Sequence, residues 1–317
     1  MFLVTVTTIF GAIFQLFIIS ALAAIFVRKG VVSQSQIQSL SAVTINVFLP
    51  CLIISKTITS FDPKNFSLWW TLPLSGIILV LIGLFFSSIL FKMDRSKMAL
   101  FPLASMQNAI YIVLPIGKIL YPQEFDLFAL YSFLITMGLT PIMWSIGKVL
   151  IVGKKDVGIE FKDFITPPLI ATIISILVVF TGLSSILPQT LISPIDLLGQ
   201  ATVPLAAFIL GATLGMISLT DVPPLKDICI VAAVKFLLVP LTVFLVLYTT
   251  GIYKTMPLFS NMLIIQASSP PATNLILIVK NYGGNSQSMS SMMFLQYIFC
   301  IFAMPLWLAV WQFTTTQ

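Results

Sequence analysis

Residues 264–284 read IIQASSPPATNLILIVKNYGG. An apolar run meets Ser268, Ser269, Pro270, Pro271, Thr273 and Asn274, and then continues apolar. Proline removes a backbone donor and clashes with the preceding turn, so Pro270-Pro271 is expected to break a helix and free backbone polar groups. At membrane depth such backbone is tolerated only where protein buries it or where it lines a polar cavity. Ser269 reads as an N-cap and Pro270 as the first residue of a new half-helix, whose free N–H groups and positive dipole end would suit an anion.

Composition puts this stretch in lipid. Of 317 residues, 58% are hydrophobic and 8% charged, with a mean hydropathy of +1.09; soluble domains carry about 25% charged residues. The charges gather between long apolar runs, as in an all-α polytopic membrane protein. The net charge of +6 comes with no basic cluster longer than Lys154-Lys155, so it reflects the bias of Lys and Arg toward cytoplasmic loops, and no nucleic-acid partner is expected. Cys51, Cys229 and Cys300 lie far apart and the chain has no His, so neither a disulfide framework, a metal site nor a cofactor is expected. No nucleophile and base pair or phosphate loop suggests an enzyme. The N-terminal MFLVTVTTIFGAIFQLFIIS lacks the basic start of a secretory signal and reads as a retained first span.

Runs long enough to cross the bilayer, roughly 20 residues each, fall at 6–27, 37–59, 67–91, 98–121, 126–151, 166–183, 194–217, 227–250, 257–279 and 290–313. If the N-terminus is outside, eleven Lys and Arg fall in inner connections and four in outer ones, so both termini are expected to face outward from the cytoplasmic membrane. The polar connection 152–164 then divides the chain into halves of five spans, 1–151 and 165–317. Five crossings per half invert the second half relative to the first, if the two are structurally related. Pro50 and Pro204 lie 154 positions apart in the second span of each half, and Pro115 and Pro270 lie 155 apart in the fourth.

The fourth span, FPLASMQNAIYIVLPIGKILYP, carries Gln107 and Asn108 near its middle and Pro115 one to two turns later. Asn108 is about 15 Å from the inner end at 1.5 Å per residue, and Ser268 is similarly deep from the other side. Two interruptions meeting at the midplane suit a substrate site between crossed broken helices. Taken singly, each is read equally well as a packing kink whose polar atoms bond a neighbouring helix; the matched pair favours the site.

NVFLPCLIIS in span two, QNAIYIVLPIGKILY in span four and QASSPPATNLILIVKNYGG in span nine together resemble the auxin efflux carrier family, which includes bacterial permeases for malate and malonate. The resemblance implies two inverted five-helix repeats, similar to bile-acid/sodium symporters and sodium/proton antiporters. It also implies crossed helices four and nine and a mobile bundle moving against a scaffold in an elevator-like cycle. The implied site falls on Asn108, Pro115, Pro270, Pro271 and Asn274. Ala109, Ile110 and Tyr111 stand where relatives often place glycines, and the long central loop of many plant exporters is absent, which fits the bacterial permeases better.

Other polar residues in the spans leave two readings open. Lys235, about 13 Å along a helix from the inner surface, pairs with a substrate carboxylate or replaces a coupling cation, or else snorkels to the surface. Asn46 lines a cavity or bonds a neighbouring helix. Asp196 reads as a surface charge, and Lys56 and Lys118 as snorkelling residues near the outer ends, with the alternative of drawing anions inward. The expected function is transport of a small organic anion, malate or malonate foremost, coupled to protons or to the membrane potential. An exporter of an auxin-like aromatic carboxylate and a receptor that binds without transporting are the alternatives. A homodimer stays open, because lipid-facing and partner-facing helix surfaces are alike in composition.

Overall fold

A computed structural model describes residues 2–315 other than 65, 67, 154–164, 218, 220 and 284. The expected connection 152–164 thus lies almost wholly outside the described residues. The described chain is all-helical, and its only bridge between extended segments pairs Gln107 with Pro271. Its main helices are α1 (Phe2–Arg28), α2 (Gln34–Ser60), α3 (Thr71–Leu90), α4 (Phe101–Ser105), α5 (Val113–Leu120), α6 (Phe125–Val152), α7 (Pro167–Phe180), α8 (Gln189–Gly215), α9 (Leu225–Thr250), α10 (Pro257–Ala267), α11 (Asn274–Tyr282) and α12 (Ser286–Thr315).

Seven of these, α1, α2, α3, α6, α8, α9 and α12, are long and apolar enough to cross a membrane. The other three expected spans are built differently. The fourth is α4 plus α5 and the ninth is α10 plus α11, each interrupted, and the sixth is the 14-residue α7. Large apolar side chains such as Phe14, Phe85, Leu245 and Phe302 point outward, as expected where the surroundings are hydrocarbon.

Local chemistry sets the helix ends. The Ser33 hydroxyl accepts the Gln36 N–H while the Gln36 amide oxygen accepts the Ser33 N–H, a reciprocal cap that starts α2 three residues before the expected apolar run. Thr166 caps α7 ahead of Pro167 and Pro168, whose missing donors cost nothing in a first turn. Within α2 and α9, Thr44–Phe48 and Val234–Leu238 form π-turns just before Pro50 and Pro240. Proline leaves the carbonyl four residues back without its helical donor. In α9 that carbonyl, on Phe236, accepts the Trp307 indole N–H at 2.7 Å.

The helices pack as two bundles. In one, α1 and α2 pack against α8, and α7 packs against α2. In the other, α3 packs on α6, and α4, α5, α9, α10, α11 and α12 gather around them. Glycine permits the closest approaches: a Cβ on Gly211 of α8 would meet the Ser20 backbone of α1, and one on Gly138 of α6 would meet the Pro73 carbonyl of α3. Both seams lie inside a bundle. The bundles meet where α1 packs on α12 and α2 on α6.

Candidate functional site

Both expected interruptions are present, and they cross. Residues 106–112 separate α4 from α5, and residues 268–273 separate α10 from α11. The Asn108 N–H donates to the Pro270 carbonyl at 2.8 Å, and the Ala272 N–H donates to the Met106 carbonyl at 3.1 Å. Two extended stretches thereby satisfy each other's backbone in the protein interior, as unwound chain at membrane depth requires.

Side chains complete the joint. The Asn108 amide oxygen accepts the Tyr111 N–H at 2.8 Å, a local bond that competes with continued helix, and its NH₂ donates to the Tyr297 hydroxyl at 2.6 Å. Tyr297 in turn donates to the Pro271 carbonyl at 3.0 Å. One buried tyrosine of α12 thus ties both breaks together. Sequence reading missed it; the available signal was a mid-span phenol, whose hydroxyl needs a partner when buried.

Several expectations need correction. Ser269 does not cap a new half-helix: its hydroxyl, like that of Ser268, bonds back to the end of α10, to Gln266 and Ile264 respectively. Pro270 and Pro271 lie in the extended crossing, and α11 starts later, at Asn274, behind Thr273. Two successive prolines delay the restart because a residue before proline is driven out of helical geometry. Pro115, implied as a site residue, lies outside the break; it is buried in the first turn of α5, where its missing donor is harmless. Lys235 does not snorkel. It is fully buried in the π-turn of α9, with its ammonium 3.4 Å from the Met106 carbonyl.

A cavity of about 300 Å³ adjoins the crossing, between α2 and α7 of one bundle and the crossed segments and α6 of the other. Asn46, Gln107, Asn108 and Asn274 all line it, whereas Pro115, Ser268, Ser269, Pro270, Pro271 and Lys235 do not. Gln107 is 1% exposed, and neither atom of its amide has a hydrogen-bond partner. An unmatched buried amide is costly, and this one borders the cavity. Thr136 and Thr140 of α6 and Thr166 of α7 add hydroxyls that sequence reading passed over, and Phe133 and Trp144 supply apolar walls. Among the described residues no Asp, Glu, Lys or Arg lines the cavity.

Near the opposite end of α2, Lys56 lies between Asp126 of α6 at 3.0 Å and Asp196 of α8 at 2.9 Å. This corrects both surface readings. Lys56 is 12% exposed and paired twice, and Asp196 is its partner within the first bundle. The Lys118 ammonium rests over the Phe125 ring at 4.6 Å.

The family model described as "Membrane transport protein" matches residues 8–161 and 157–308, nearly the whole chain. The chain belongs to this membrane transport family. The auxin efflux carrier resemblance is therefore confirmed at family level. A Rhizobium meliloti (strain 1021) protein named "Putative malonate transporter" is 30% identical over 126 residues, which cover 40% of this chain and 38% of that protein. The matched part is thus well under half of either chain. The two stretches matched to the transport family meet at the segment joining α6 to α7, so the crossed breaks fall one in each stretch.

Proposed function

We propose that the chain is a secondary carrier of a small organic anion, a dicarboxylate such as malonate or malate, across the cytoplasmic membrane. The observation that carries this reading is the unbonded Gln107 amide beside Asn108 and Asn274, in a cavity at two crossed helix breaks. Carboxylate oxygens would accept from these amides and from N–H groups at the start of α11, where the helix dipole favours negative charge. The name of the Rhizobium relative supports the dicarboxylate. Ten crossings in two inverted five-helix repeats, with both termini outside, are part of the proposal, as is coupling to protons or to membrane potential. So is the cycle: the bundle holding the crossing moves against the bundle of α1, α2, α7 and α8, exposing the cavity to each side in turn.

Uptake of labelled malonate and malate into liposomes holding the purified protein, with pH gradient and potential imposed separately, tests this. Saturable uptake driven by either gradient is the expected outcome. Binding without uptake under both gradients points instead to a receptor. Phe133 and Trp144 in the lining favour a second reading, an aromatic carboxylate; competition of malonate uptake by indole-3-acetate separates the two.

A further inference from the structure

The cavity holds no charged side chain among the described residues, yet a fully buried amine lies one residue away along the crossing. The Met106 carbonyl takes the Lys235 ammonium at 3.4 Å, and the next residue, Gln107, lines the cavity. Among the described residues, no acidic side chain lies on the helices that pack against the Lys235 turn. The π-turn that carries it packs against α3, α4 and α12. α3 and α4 contain no ionisable residue, and α12 contributes only Tyr297 and Cys300. On α9 itself the one carboxylate, Asp227, is paired with Lys97. A buried lysine with no carboxylate beside it holds its proton only at a cost, one that an anion arriving in the adjoining cavity would offset.

The carbonyl it meets explains the placement. Met106 is the first residue beyond α4, so its oxygen lies at the negative end of that half-helix. In carriers with interrupted helices, the C-terminal ends of half-helices and unwound carbonyls are where coupling cations bind. We infer that Lys235 is the resident counter-charge of the transported anion, its ammonium occupying on a tether the place that an ion-coupled carrier leaves for a free monovalent cation. This rests on the anion-carrier reading above. Lys235 does not touch the substrate; it acts through the unwound stretch, where low polarizability lets a charge be felt across several ångströms. The arrangement selects anions over neutral analogues and removes the need for sodium.

The test uses the full-length purified protein, with malonate as the probe, in sodium chloride or choline chloride of equal ionic strength. Wild type is expected to bind malonate equally in both salts. Lys235→Met, of similar length without charge, is expected to lose at least about tenfold in affinity. Lys235→Ala, which opens a hole at the carbonyl, is expected to regain affinity in sodium and not in choline. Sodium-dependent binding by wild type, or wild-type affinity in the Met variant, overturns the inference. Thermal unfolding decides without any substrate: sodium is expected to raise the midpoint of Lys235→Ala by at least about 3 °C over choline and to leave wild type unmoved. A responsive wild type or an unresponsive Ala variant overturns it. If wild type binds no malonate, the dicarboxylate reading fails while the thermal comparison still judges Lys235.

Discussion

Gln107 and Asn108 are neighbours of the same chemical kind with opposite structural standing. Asn108 spends its amide on Tyr111 and Tyr297, whereas Gln107 spends its own on nothing. Gln107→Ala is therefore expected to weaken malonate binding by about tenfold or more with little change in thermal stability, because no internal bond is lost. Asn108→Ala is expected to lower both, since it strands polar groups at the crossing at about 1–3 kcal/mol each. Calorimetry and thermal unfolding on the same two variants check the contrast. Equal stability losses would show that Gln107 is bonded in the fold. Both residues were legible as candidates because amides in mid-span are expensive. Which one the fold ties down was not, because that depends on a partner almost 200 residues away in sequence, Tyr297.

At the scale of elements, the two breaks are held as one unit by backbone bonds between them and by the Tyr297 hydroxyl. Tyr297→Phe keeps the ring and removes both hydroxyl bonds. It is expected to destabilise the protein by about 1–3 kcal/mol and to raise amide exchange in 106–112 and 268–273 while α1 and α8 keep their protection. Exchange rising uniformly over all helices would show that the tyrosine has no special tie to the crossing. The close seams behave differently. Gly138→Val forces a side chain into the Pro73 carbonyl of α3, where backbone has no room to yield, so loss of monodisperse protein is expected on size-exclusion chromatography. The importance of Gly138 comes from the helix laid against it.

Across the whole molecule, the two bundles meet around the cavity, and the Lys56 ion pairs lie about ten residues further along α2 from Asn46. Lys56 bonds Asp196 within its own bundle and Asp126 in the other. Of these two bonds, only the second crosses from one bundle to the other. Asp126 is half-exposed, so the bond is worth about 1 kcal/mol or less, enough to shift a two-state population by a few fold. Spin labels at exposed Thr59 and Gln123 report the gap. Asp126→Asn is expected to add a longer-distance population that Asp196→Asn does not, and identical distributions in both variants would rule out a closing role for the Lys56–Asp126 pair.

The sequence alone determined that this chain lives in a membrane, where its helices break, and which amides and prolines mark the breaks. These follow from local costs: burying charge in hydrocarbon, denying a helix its donor, placing amides in mid-span. Tertiary structure decided the rest. Ser269 lost its assigned role as a cap because half-helix ends are set by what crosses them, not by the nearest serine, and Pro115 lies in α5 away from the cavity. Tyr297, the paired state of Lys56 and the burial of Lys235 are properties of contacts between distant segments. Hydropathy carries no trace of such contacts, because every face of a membrane helix is apolar whether it meets lipid or protein.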